Sequence, residues 1–155
     1  MPWRPCWLKE MKATEASFWD TSALVALCCR HPSTTTARRL ARQSRKLVVW
    51  WATPVELYSA FLQLVRTGKL EEPELKHALA QKHMLRRSWV EVQPSERLRD
   101  IAETLPERYG LRALDALQLA AALVWCKEKP RHRPFASFDR RLAHAAAKAG
   151  FNIIT

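Results

Sequence analysis

Short apolar runs alternate with stretches of helical periodicity along this chain. Ser17 to Trp19 predicts a short strand that ends at Asp20. Ser22 to Cys29 predicts a helix stopped before Pro32, and Ser33 stands where it can cap a basic helix reaching Arg45. Leu47 to Trp51 (LVVWW) is rich in β-formers and predicts a buried strand. Thr53 and Pro54 open a helix to about Arg66, with Gly68 as its stop. Glu71 to Arg87 predicts a more polar helix, Trp89 to Val92 a third strand, and Pro94–Ser95 the start of a helix ending near Tyr109–Gly110. Arg112 to Lys127 is a strongly apolar helix, Pro134 to Ser137 a strand, Asp139 to Lys148 a helix closed by Gly150, and Asn152 to Ile154 a last strand. Short strands separated by helices predict an α/β domain whose sheet, about five-stranded, is mainly parallel.

Size and composition agree with one such domain. The 155 residues are 48% apolar, enough for a full core. Residues 16–155 are expected to form it, and residues 1–15 to be a poorly ordered extension, with Met11 an alternative start. The N-terminal stretch lacks the apolar core of a signal peptide, and no run long enough to span a membrane occurs. Cys6, Cys28, Cys29 and Cys126 form no CxxC pair and have no histidine at zinc spacing, so a reducing cytoplasm is the expected compartment. With only 3 glycines, no phosphate-cradling glycine loop is present.

Charge directs attention to polyanions. The chain carries 26 Lys and Arg against 15 Asp and Glu, a net charge of +11. Between Asp20 and Glu56 there is no acid at all. If residues 33–45 are helical, Arg38, Arg42 and Arg45 share one face and form a ridge able to follow phosphates; a plain solvated face is the alternative.

The candidate chemistry lies in the acids. Asp20 and Asp139 follow predicted strands, so both are expected at the carboxyl edge of the sheet, where open α/β sheets bind ligands. Asp115 is the only charged residue from Ala113 to Cys126. An apolar helix predicts burial, and a buried carboxylate needs an arginine (Arg112 being nearest in sequence), hydrogen bonds, the helix dipole or a metal. Gln118, one turn on, shares its face. Each other acid has a structural explanation as well. Thr53-Pro54-Val55-Glu56 has the form of a capping box, and Asp20 and Asp139 can be helix caps. Gathered carboxylates, however, cannot all ionise without a cation. An all-oxygen set suits Mg²⁺ or Mn²⁺. Other phosphate chemistries fit poorly. A phosphatase of the haloacid dehalogenase type needs an aspartate where Ser22 stands, and the five histidines show no informative spacing.

From about Phe18 to Ile154 these residues resemble the PIN domains, and among them the VapC-type toxins. FWDTSALVAL resembles the opening strand and first acid of the family, at Asp20, with Thr21 or Ser22 as accompanying hydroxyl. TPVELYSAF resembles the second-acid helix, at Glu56. LRALDALQLAAAL is the most specific segment and places the third acid at Asp115. FASFDRRLAHAAAKAGF resembles the closing motif, with Asp139 and the Ser137 hydroxyl. Trp19 is bulkier than the pattern expects. The resemblance implies a three-layer α/β/α sandwich and a metal-dependent endoribonuclease leaving 5′-phosphate and 3′-hydroxyl ends. Asp20, Asp115, Glu56 and Asp139 would bind Mg²⁺, directly or through water. Thr21, Ser22, Gln118 and Ser137 would support them, and Arg112 would join the arginine ridge against RNA. It further implies a homodimer, RNA such as tRNA as substrate, and a small antitoxin in an apolar groove. Leu24, Leu40 and the Trp50–Trp51 pair are groove candidates, with core packing the competing role. A PIN-fold nuclease without an antitoxin, acting in RNA processing or on DNA, and a non-catalytic RNA-binding domain are the alternatives.

Overall fold

A computed structural model describes residues 16–155. The expected extension, with Met11 and Cys6, lies outside them. In chain order the elements are β1 (Ser17–Trp19), α1 (Thr21–Cys28), α2 (Thr34–Gln43), β2 (Leu47–Trp50), α3 (Thr53–Arg66), α4 (Glu72–Arg86), β3 (Val90–Val92), α5 (Glu96–Tyr109), α6 (Ala113–Trp125), β4 (Pro134–Ala136), α7 (Arg140–Ala149) and β5 (Asn152–Ile154). The strands form one sheet in the order β3-β2-β1-β4-β5. Every pairing is parallel, so each strand's carboxyl end points to the same edge.

Alternation along the strands divides the core into two layers. Phe18, Val48, Trp50 and Phe135 face one side and pack against Leu98, Leu105, Leu119 and Leu142 of α5, α6 and α7. Trp19, Val49 and Ala136 face the other and pack against Leu24, Leu40, Leu57, Phe61 and Ala78 of α1 to α4. A sheet covered on both faces must be apolar on both, which is why inner strands such as LVVW and PFA read as continuous apolar runs. The bulky Trp19 fits because its indole is fully buried and its Nε1 donates to Ser17 Oγ at 2.8 Å.

Two expectations about this scaffold need correction. Helix α2 ends at Gln43, before Arg45. Ser44 turns extended there, its hydroxyl bound to the Leu40 carbonyl and to Ser17 Oγ. Ser33 precedes the helix, but its side chain makes no capping bond. Of the groove candidates, Leu24, Leu40 and Trp50 lie in the core, whereas Trp51 is 50% exposed. Cys28, Cys29 and Cys126 are buried and unpaired thiols. Among the described residues no helix is long and apolar enough to cross a membrane.

Candidate active site

Asp20 leaves the end of the central strand and starts α1. Its backbone N–H continues the ladder to the Ala136 carbonyl at 3.1 Å. Its Oδ1 caps α1 by accepting from Ala23 N at 2.9 Å and also takes the Ser22 hydroxyl at 2.7 Å. Its Oδ2 accepts from Ser137 Oγ at 2.5 Å. Ser22 Oγ in turn accepts from the backbone N–H groups of Phe138 and Asp139, tying the loop after β4 to the start of α1. Asp20 is only 2% exposed. Burial pushes its carboxyl up to about 6; the bonds from Ser137, Ser22 and Ala23 oppose that, and the charge of Asp139 adds to it.

Glu56 sits in the first turn of α3, and its local explanation fails. The helix begins at Thr53 after Ala52, so Thr53 is not the cap, and its buried hydroxyl has no partner. The Glu56 carboxylate instead reaches across the sheet edge. Its Oε2 accepts from Thr21 Oγ1 at 2.7 Å and Gln118 Nε2 at 3.0 Å, and Gln118 Nε2 also reaches Thr21 Oγ1 at 3.0 Å. The other oxygens of this pair, Glu56 Oε1 and Gln118 Oε1, are buried without any donor among the described residues.

Asp115 is half-buried, not enclosed as its apolar surroundings suggested. Its turn of α6 projects at the edge, where neighbouring Leu114 is 59% exposed. Its carboxyl is raised, first by burial and then by the charge of Asp139, while Arg141 and Arg112 pull it down. Among the described residues the close ion pairs are Arg86–Glu91, Arg97–Glu128 and Arg99–Glu96, so the Asp115–Arg112 pair, the structural alternative to a functional role, is not among them. Asp139 is exposed and caps α7, its Oδ1 accepting from Leu142 N at 2.9 Å.

Asp115 and Asp139 share an open cleft of about 720 Å³ with Arg112, Leu114, Arg140 and Arg141. The arginine ridge is elsewhere. Arg38 and Arg42 are exposed on α2, and Arg45 follows its end. Ser44, between the last two, is bound to the first residue of β1. Arg42 and Arg45 therefore stand at the amino edge, opposite the acids. The cations beside the acids are Arg112 and two that sequence reading passed over, Arg140 and Arg141, although DRR was in view directly after Asp139.

Among the described residues no group of three or more His, Cys, Asp or Glu side chains is placed to hold a metal ion together. The unpartnered Glu56 Oε1, the raised Asp20 and Asp115, and an all-oxygen composition nevertheless fit a hard dication, which takes one or two carboxylates and keeps several waters.

Comparison with known proteins agrees with this architecture. The crystal structure of PAE2754 from Pyrobaculum aerophilum matches with a TM-score of 0.63 at 18% identity, covering 92% of this chain and 90% of that one. At that identity the likeness is one of fold. No curated protein matches by sequence. The model of the PIN domain matches residues 18–148, a span that holds all four acids. PIN domains are in general nucleases and typically use divalent metal ions. The match runs from the central strand into the last helix, and the chain belongs to the PIN-domain family.

Proposed function

We propose that this chain is a divalent-metal-dependent endoribonuclease, the toxin of a type II toxin–antitoxin pair. One observation carries the nuclease reading: an edge with surplus buried carboxyl and amide oxygens opens beside a cleft lined by Arg112, Arg140 and Arg141. The cleft attracts a polyanion, and the acids suit the cation that a phosphodiester needs.

Asp20, Glu56, Asp115 and Asp139 would hold Mg²⁺, or Mn²⁺ in its place. Bound there, the ion supplies an activated water and neutralises charge developing on the phosphate. The other groups prepare the site. Ser22 and Ser137 fix the two oxygens of Asp20. Thr21 and Gln118 occupy Glu56 Oε2 and so leave Oε1 for the ligand. Arg112, Arg140 and Arg141 would hold neighbouring phosphates. Water attack leaves 5′-phosphate and 3′-hydroxyl ends. The toxin role, a homodimeric state, a tRNA substrate, a cognate antitoxin and a cytoplasmic location rest on the resemblance of the four acidic motifs to VapC-type proteins.

The test is cleavage of RNA by the purified chain with Mg²⁺, with and without chelator. Cleavage is expected only with the metal. Asp115→Asn is expected to slow it about 100-fold or more, since even partners of metal ligands are worth about 10- to 100-fold. An Asp115→Asn protein as fast as the parent would falsify the assignment. For the toxin role, expression of the parent is expected to arrest growth and Asp115→Asn to relieve the arrest.

A further inference from the structure

The carboxyl edge continues beyond the acids. Thr21 and Glu56 also wall a second groove, of about 740 Å³, whose other side is apolar and includes Trp50, Trp51, Val55 and Leu117. Leu114 lines both this groove and the arginine cleft, so one path runs from Arg140 and Arg141 past the acids to Trp51.

Trp51 is the unusual member. It is half exposed, and Val55 beside it is 71% exposed. Its backbone N–H is anchored to the Val92 carbonyl at 3.0 Å. Its ring meets Trp50 edge-on, with centroids 6.3 Å apart and planes at 66°, a contact that braces the indole without stacking upon it. Trp50 lines the same groove, is 5% exposed, and has an Nε1 donor with no acceptor among the described residues. Another hollow that Trp51 also lines, of about 350 Å³, extends to Arg99.

The geometry points to a nucleobase subsite, in which an unpaired base of the substrate strand stacks on the Trp51 indole next to the phosphate held at the acids. The inference rests on the nuclease reading above and adds a residue that holds a base of the substrate strand. A single strand presents phosphates to one side and free aromatic faces to the other, and this path offers cations at one end and an aromatic platform at the other. A docked protein helix would match the apolar groove but would need acidic side chains as well to meet Arg140 and Arg141, whereas a nucleic acid strand carries both the apolar face and the negative charge. Base-paired RNA would keep its faces stacked and out of reach of the indole.

The probe is a short single-stranded RNA carrying one 2-aminopurine, placed at each position in turn and bound with EDTA present so that it is not cut. Indole stacking is expected to quench it at one position, and Trp51→Ala to abolish that quench. Trp51→Ala is expected to weaken RNA binding and raise KM about tenfold, with Trp51→Phe recovering most of the loss and Tyr58→Ala, an exposed aromatic outside the groove, staying within about twofold. An abasic nucleotide at the quenched position should reproduce the loss in the parent and add nothing in Trp51→Ala. Unchanged quenching and KM in Trp51→Ala would overturn the subsite while leaving cleavage intact. A Trp51-dependent quench on a chain that never cuts RNA would keep the subsite and sink the nuclease reading. If Trp51→Ala changes only sedimentation, or only the binding of a partner protein, this face is a protein interface and the inference is overturned.

Discussion

The two ends of β1 are finished differently. At the amino end Ser17 is fully buried and its hydroxyl is satisfied twice, by Ser44 Oγ at 2.6 Å and by the Trp19 indole N–H at 2.8 Å. At the carboxyl end Asp20 takes three close donors and is still pushed up to about 6, with the buried Glu56 Oε1 and Gln118 Oε1 lacking donors among the described residues. The ends are similarly buried but unequally complete. Buried polar groups are nearly always paired, so a local surplus of acceptors marks a place meant for something else. A cation or ordered water can make up such a deficit, and repelling carboxylates favour the cation.

The largest effect should come from Asp20→Asn, because it pulls activity and stability in opposite directions. Cleavage is expected to fall about 100-fold or more. The metal-free protein should gain about 1–3 kcal/mol at pH 8. The sign follows from the raised carboxyl. The folded value, about 6, lies above the ordinary 3.8, so the folded state holds the proton more tightly. That contribution is fully present below the ordinary value and is lost as pH rises through about 6. Urea denaturation in EDTA across this range should show the parent losing stability where the Asn variant does not. A variant less stable than the parent at pH 8 would erase the contrast between the two edges.

Ser17→Ala probes the opposite end. It strands the Trp19 indole N–H in the core and should cost about 1–3 kcal/mol on denaturation. Below its melting range the variant should cut RNA at the parental rate. A loss of cleavage beyond the loss of folded protein would mean that the amino edge is not merely structural.

The smallest expected effect sharpens the placement of the cations. Arg42→Ala with Arg45→Ala should leave RNA affinity within about twofold at fixed salt, since both stand at the amino edge. Arg140→Ala with Arg141→Ala should lower the slope of log affinity against log salt by about 2. The reverse pattern would return the RNA path to α2.

The fold was legible because parallel strands covered on both faces leave apolar runs such as LVVW, and because helix ends carry local marks such as Ser95 and Gly150. What was hidden depends on residues distant in sequence. The end of α2 is set by Ser44 meeting Ser17, which no spacing within the helix announces. Glu56 looked like a cap because Thr53 stands at the right distance, yet Thr21 and Gln118 draw it across the edge. Asp115 looked buried because its helix is apolar, but helix composition does not say that the first turn projects from the sheet. The deeply buried acid is Asp20, whose enclosure depends on Ser137 at the far end of the chain.

That last bond bears on synthesis. Phe18 ladders on one side with Val48 and on the other with Phe135, so the strand that carries Asp20 is flanked on both sides only after β4 exists. A nascent chain that has not yet reached Pro134 lacks Ser137, Asp139 and both arginines that follow it. Such a chain has no complete acidic edge, whatever metal surrounds it. The site is therefore incomplete on any nascent chain until the last inner strand has emerged and docked.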